Sequence, residues 1–278
     1  MAATALKFAQ VDGLRLAYRE MGTGPAVLLL HGWPTSSFLW RNVMRPIATR
    51  NRVVALDLPG FGASDKPLGV RYDFGFFARA LDGFLAAVGI AETGLAVHDL
   101  GGPIGVHWAL HRPGKVRRLA LLNTLLYPQF SDAVKEFVRA CSTPGERERI
   151  TSAAGLRSIL RDGLADPANL TDEVLAAVQE PFRTEQAREA LALAGKGLEL
   201  RGFVEIGRGL PSLQIPLRIV YGERDRVLPD VAETMARVKA DVPHAELTSL
   251  PDRGHFVQEE APGQVGELLA LFFAMLAE

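Results

Sequence analysis

Three side chains in this sequence have the types and the spacing to break a bond at carbon and then reset themselves: Asp99, Asp225 and His255. Asp99 sits in Val97-His98-Asp99-Leu100-Gly101-Gly102, after an apolar run at 94–97 that reads as a buried strand and before a helical pattern at 103–111. Strand, sharp turn and helix with one reactive group at the apex form a nucleophile elbow. A carboxylate at that apex attacks an sp3 carbon and is left as an alkyl ester. An aspartate ahead of a helix also serves as an N-cap, so the six residues alone leave both readings open. Asp225 ends Gly222-Glu223-Arg224-Asp225, just after an apolar run at 217–221, with Glu223 and Asp252 as neighbouring carboxylates. His255 ends Pro251-Asp252-Arg253-Gly254-His255, after the strand pattern Glu246–Leu250.

These positions fit one mechanism. Asp99 is held ionised by a helix N-terminus and its free N–H groups. His255 takes a proton from the water that attacks the ester, and Asp225 orients the imidazole and stabilises its charged form. The tetrahedral intermediate requires N–H donors, for which the backbones of Trp33 and Leu100 are the candidates. Each such donor is typically worth about 3 kcal/mol.

The elements that must position these groups alternate. Phe8 to Val11 and Leu14 to Arg19 flank Asp12-Gly13 as a hairpin. Ala26–Leu30 and Arg52–Leu56 read as strands buried on both faces. The first runs into His31-Gly32-Trp33-Pro34, with Ser36 or Ser37 capping a helix to about Ile47. The second runs into the glycine-rich loop at 57–65. A helix over 74–88, the strand before the elbow, the elbow helix and a strand at Val116–Leu122 follow. Alternation then stops. From about 125 to 213 only helical patterns occur, including 131–141, 146–162, 172–182 and 185–198, with caps at Ser131 and Thr171. It resumes with a strand at 217–221, a helix near 230–238, a strand at Glu246–Leu250 and a helix over 258–277. The pattern predicts an α/β fold, a mostly parallel doubly wound sheet carrying an inserted all-helical lid. Residues 1–124 and 214–278 would make the core domain and 125–213 the cap. Ligands of such sheets bind at the carboxyl ends of the strands, here beneath the lid.

Bulk composition narrows the partners. The 278 residues are 48% hydrophobic and 23% charged, with a formal net charge of −1. That balance offers nucleic acid or an anionic membrane no electrostatic attraction. The single cysteine, Cys141, excludes an intrachain disulfide and a cysteine-based zinc site. No signal-peptide pattern opens the chain, and the apolar stretch at 268–277 is half a membrane span. The expectation is a cytoplasmic monomer or homodimer acting on a small molecule and water, with no cofactor and no metal.

The order nucleophile, acid, histidine and the motifs around it resemble the α/β-hydrolase superfamily over essentially the whole chain. Within it, the sequence is similar to the haloalkane dehalogenase and epoxide hydrolase branch. The motifs are His31-Gly-Trp-Pro-Thr-Ser-Ser-Phe-Leu-Trp-Arg41, Asp57-Leu-Pro-Gly-Phe-Gly-Ala-Ser-Asp-Lys-Pro67, His98-Asp-Leu-Gly-Gly-Pro-Ile-Gly105 and Leu122-Asn-Thr124. The resemblance implies that Asp99, Asp225 and His255 are nucleophile, acid and base. It also implies an acid after the later strand, where Asn123 leaves none after the earlier one. Two positions depart from the pattern. Dehalogenases usually follow the nucleophile with a halide-binding tryptophan, and here it is Leu100. Their second halide donor is a lid tryptophan or an asparagine after His-Gly, and here that position is Trp33. Epoxide hydrolases use two lid tyrosines, whereas this lid has only Tyr127, at its edge. Trp33 and Tyr127 are therefore the tentative pocket residues. Dehalogenation of a haloalkane or haloacid is the leading expectation. Alternatives are an epoxide, then an ester or lactone, and, from other classes, a non-catalytic small-molecule-binding relative or a cofactor-independent oxygenase.

Overall fold

A computed structural model describes residues 4–274. Strand β1 (Lys7–Val11) turns through Asp12-Gly13, both at positive φ (48° and 82°), into antiparallel β2 (Leu14–Met21). The apolar runs become β3 (Ala26–Leu30), β4 (Arg52–Leu56), β5 (Thr93–His98), β6 (Val116–Leu122), β7 (Leu217–Gly222) and β8 (Glu246–Leu250). They form one eight-stranded sheet in the order β1-β2-β4-β3-β5-β6-β7-β8, parallel from β4 onward. Strand order reverses around β3, since β4 lies on one side of it and β5 on the other. A crevice therefore opens at the carboxyl ends of β3 and β5, where such sheets bind ligands.

Helices cover the sheet. α1 (Met44–Ile47), α2 (Phe74–Ala87) and α3 (Gly101–Leu110) precede β6. Six helices then intervene before β7: α4 (Asp132–Ser142), α5 (Pro144–Thr151), α6 (Ala153–Gly163), α7 (Asp172–Gln179), α8 (Glu185–Gly195) and α9 (Leu200–Gly209). α10 (Val231–Asp241), α11 (Val257–Glu260) and α12 (Pro262–Ala274) close the described chain. Leu156, Leu160, Leu175, Val178, Phe182 and Ala190 of the inserted segment belong to the same buried cluster as the sheet strands. No helix among the described residues is long and apolar enough to cross a membrane.

The helical expectations needed four corrections, each with a local cause. The helix expected to run to Ile47 is a 3-10 turn (Ser37–Trp40), capped by Ser36, followed by the separate four-residue α1. Pro46 explains the break, because its ring would meet the carbonyl of residue 42 in a continuous helix. The helix expected over 146–162 is α5 and α6, divided at Ser152. Its hydroxyl accepts the Gly155 N–H at 3.0 Å and caps the second piece. The final helix is likewise divided at Ala261-Pro262, and the expected residues 275–277 lie outside the described residues. α9 was not among the expected patterns. Ser131 and Thr171 cap α4 and α7 as predicted.

Candidate active site

Asp99 occupies the apex between β5 and α3 at φ 49°, a left-handed conformation that a non-glycine residue adopts at some cost. The elbow exists because its neighbours have no side chains to collide. A Cβ on Gly101 would press on the backbone carbonyls of His31 and Leu30, and one on Gly32 would overlap the Asp99 carboxylate. The turn is pinned from β6, where Asn123 O accepts the Asp99 N–H at 3.1 Å and the Thr124 hydroxyl donates to Asp99 O at 2.6 Å.

The carboxylate lies between a backbone N–H and an imidazole. Oδ1 accepts the Trp33 backbone N–H at 2.8 Å, and Oδ2 stands 3.7 Å from His255 Nε2. Burial pushes the Asp99 pKa up. The His255 charge and the backbone N–H groups of Leu100 and Trp33 offset that rise in part. His255 is fully buried, and its Nδ1 donates to Asp225 Oδ2 at 2.8 Å. Burial disfavours the imidazolium, but the charge and hydrogen bond of Asp225, with Asp99 behind, outweigh it and leave the His255 pKa raised. Nε2 has no hydrogen-bond partner among the described residues, which leaves its lone pair for a proton from outside the protein.

Asp225 is locked on every side. Oδ1 accepts the N–H groups of Val227 and Leu228, both at 2.8 Å, while Oδ2 takes His255 and the Asn123 amide at 2.9 Å. Four donors on one buried carboxylate fix its direction.

The structure thus brings Asp99, Asp225 and His255 together with the Trp33 and Leu100 backbones. Beside Asp99 lies a cavity of about 520 Å³, lined mainly by apolar side chains, among them Leu100, Val134, Phe137, Phe203, Leu228 and Phe256. Trp33 lines it, but its indole N–H is committed to Leu191 O at 3.1 Å. Tyr127 does not line it. Its hydroxyl donates to Asp241 at 2.7 Å and Arg237 lies over its ring at 3.7 Å, so the side chain faces α10 instead. Leu100 presents only carbon to the cavity.

Several supporting residues surround Asp99, Asp225 and His255. Asn123, at φ 31°, joins three loops: its amide reaches Asp225, Gly222 O and Gly254 O, and its Oδ1 accepts the Gly222 N–H. Glu260 accepts the Gly254 N–H at 2.6 Å with one oxygen and those of Ala165 and Asp166 with the other. It thereby ties the histidine loop to the segment after α6. The His255 N–H itself donates to Gly163 O at 2.7 Å. His98, neutral because burial holds its pKa well below the ordinary value, donates through Nε2 to His255 O at 2.9 Å. His31 donates to Gly32 O and accepts the Leu58 N–H, holding the loop that carries Trp33. Asn123 stood out in the sequence as an asparagine at a strand end, and His31 and His98 as members of the motifs, whereas nothing marked Glu260.

Comparison with known proteins agrees with this geometry. A family profile described as alpha/beta hydrolase fold matches residues 25–262. The chain is 33% identical over 261 residues to haloalkane dehalogenase 2 of Mycobacterium tuberculosis, covering 90% of this chain and 88% of that protein. It is 30% identical to a haloalkane dehalogenase of Bradyrhizobium diazoefficiens, covering 97% and 94%. Among solved structures, haloalkane dehalogenase DbeA from Bradyrhizobium elkani superposes with a TM-score of 0.87 at 29% identity, over 98% of both chains. Motif order, sheet topology and these relatives lead to one assignment: the chain belongs to the α/β-hydrolase fold family, in its haloalkane dehalogenase-like branch.

Proposed function

We propose that this enzyme hydrolyses haloalkanes through an ester on Asp99. Oδ2 attacks the carbon bearing the halogen, and the halide leaves with the bonding electrons. His255 Nε2 then takes a proton from water, and the resulting hydroxide adds to the Asp99 Cγ. The Trp33 and Leu100 N–H groups receive the oxyanion. Collapse expels the alkoxide, which takes the proton from His255 and leaves as the alcohol; the remaining water proton is released to solvent with the halide, and one water oxygen stays in the Asp99 carboxylate. Asp225 balances the imidazolium between those steps. The observation that carries the proposal is the Asp99 carboxylate itself, with Oδ1 on the Trp33 N–H, Oδ2 3.7 Å from His255 and an apolar cavity beside it.

A halide leaves without a proton, whereas an opening epoxide needs an acid. None of the chain's four tyrosines lines the cavity, which favours the halide. An ester or lactone fits less well, because carboxylate attack at a carbonyl would give an anhydride. Residues 125–213 act in this reading as a cap on a core made of 1–124 and 214–278. The setting is a cytoplasmic monomer or homodimer that uses only substrate and water. Burial raises the Cys141 pKa to about 12, which keeps that thiol out of the chemistry.

The direct test is halide release from a series of 1-bromoalkanes, with terminal epoxides and carboxylic esters alongside. Bromide should appear together with alcohol, and Asp99→Asn should abolish both. Turnover of epoxides or esters with none of bromoalkanes would overturn the assignment.

A further inference from the structure

A second cluster lies away from the cavity, where the far end of α3 meets α9. His107 and His111 are one turn apart on that helix, and their rings stack at 4.2 Å between centroids with 32° between planes. Both reach Glu205 of α9: His107 Nε2 is 3.1 Å and His111 Nε2 3.6 Å from the same oxygen, Oε2. All three donor atoms fall within 4.8 Å of one another. With bonds of about 2.0–2.1 Å, a tetrahedral zinc site places its ligand atoms roughly 3.3 Å apart. The two His–Glu separations bracket that length.

The His111 ring is held from behind by the backbone. His111 Nδ1 lies 2.8 Å from the backbone carbonyl of His107, which can only accept, so Nδ1 carries the proton. Nε2 is then the ring nitrogen that faces Glu205. The same Nδ1 bond is the outer support that metal-bound histidines have. Phe74 backs the His107 ring at 4.4 Å, and Arg201 occupies the other Glu205 oxygen at 2.8 Å, leaving Oε2 turned to the histidines. Arg112, the other nearby cation, is engaged by Asp82 through both carboxylate oxygens. The site also sits at the C-terminal end of α3, where the exposed carbonyls favour positive charge.

We propose that His107, His111 and Glu205 bind a late first-row divalent transition metal, zinc being the reference ion, and so clip α9 to the helix that begins at the nucleophile elbow. This departs from the expectation of a metal-free chain. Two imidazoles and one carboxylate are the ligand types such ions select over calcium or magnesium. Its place at the junction of α3 and α9 makes it structural and independent of the reaction at Asp99.

The test uses untagged full-length protein, titrated with Zn2+ by calorimetry and with Co2+ by visible absorption. The expected result is one ion per chain and a higher Tm with Zn2+. His111→Gln and Glu205→Gln should each weaken binding by about tenfold or more and remove the Tm gain. Both side chains are partly exposed, so the variants retain the fold. No binding at millimolar metal, or binding that both substitutions leave intact, would overturn the proposal.

Discussion

A halide departing from carbon carries a full charge, and the side chain next to Asp99 that meets it is leucine. Trp33 is the one tryptophan among the described residues lining the cavity, and with its indole held by Leu191 O no tryptophan N–H there is free to receive the ion. Turnover should therefore favour bromide and iodide, which leave readily, over chloride. Installing an indole donor through Leu100→Trp should raise kcat for chloroalkanes about tenfold, the worth of one hydrogen bond to a charged group, and change bromoalkanes less. Equal gains for both halides would show that the new ring acts by packing alone. The pH profile follows from the same two residues. Asp99 must be ionised and His255 neutral, yet both pKa values are raised, Asp99 chiefly by burial and His255 by Asp225 and Asp99 against burial. Lowering the pH removes both active forms, so kcat/KM falls on the acid side. That limb should lie above the ordinary histidine value of about 6.5, and its midpoint belongs to the coupled pair. A profile flat down to pH 5 would contradict these assignments. Asp99, Asp225 and His255 were legible because each closes a strand pattern in a recognisable order. Glu260 was not, nor were the contacts of Asn123, since their partners lie on loops that only the folded sheet brings together.

At the level of the element, the elbow depends on close backbone approach. Gly101→Ala would set a methyl against the carbonyl oxygens of His31 and Leu30, which belong to a buried strand end and cannot move aside. The expected cost is about 1–3 kcal/mol, as for overpacking elsewhere, read as a lower midpoint in urea denaturation. Unchanged stability would mean that the turn is looser than described. Strands were the more legible elements: β3, β4 and β5 are short apolar runs followed within two residues by glycine or aspartate, and their burial on both faces leaves little ambiguity. Helix ends were harder to foresee. Periodicity continued through Ser152, yet its side chain bonds the Gly155 N–H and ends one helix to start another. The expected helices also ran through Pro46 and Pro262, although a missing N–H and a ring clash act locally there.

The whole molecule sets the buried Asp99, His255 and Asp225 under a helical segment that also fastens them. Gly163 and the backbone of Ala165 and Asp166, directly or through Glu260, hold the histidine loop from the segment after α6. The insertion thus shapes the cavity and steadies His255 together. Sequence order foretold the insertion, but not its shape. Tyr127 shows why: it stands at the edge of the inserted segment, and only three-dimensional packing turns it toward Asp241. The central claim, an ester on Asp99 that His255 hydrolyses, is tested most directly by intact mass of a His255→Gln variant incubated with a 1-bromoalkane. Without its base the enzyme should hold the alkyl group, gaining the mass of one alkyl chain less a hydrogen, and adding Asp99→Asn should remove the adduct. An unmodified mass, with the wild-type enzyme releasing bromide from the same substrate, would contradict the covalent route.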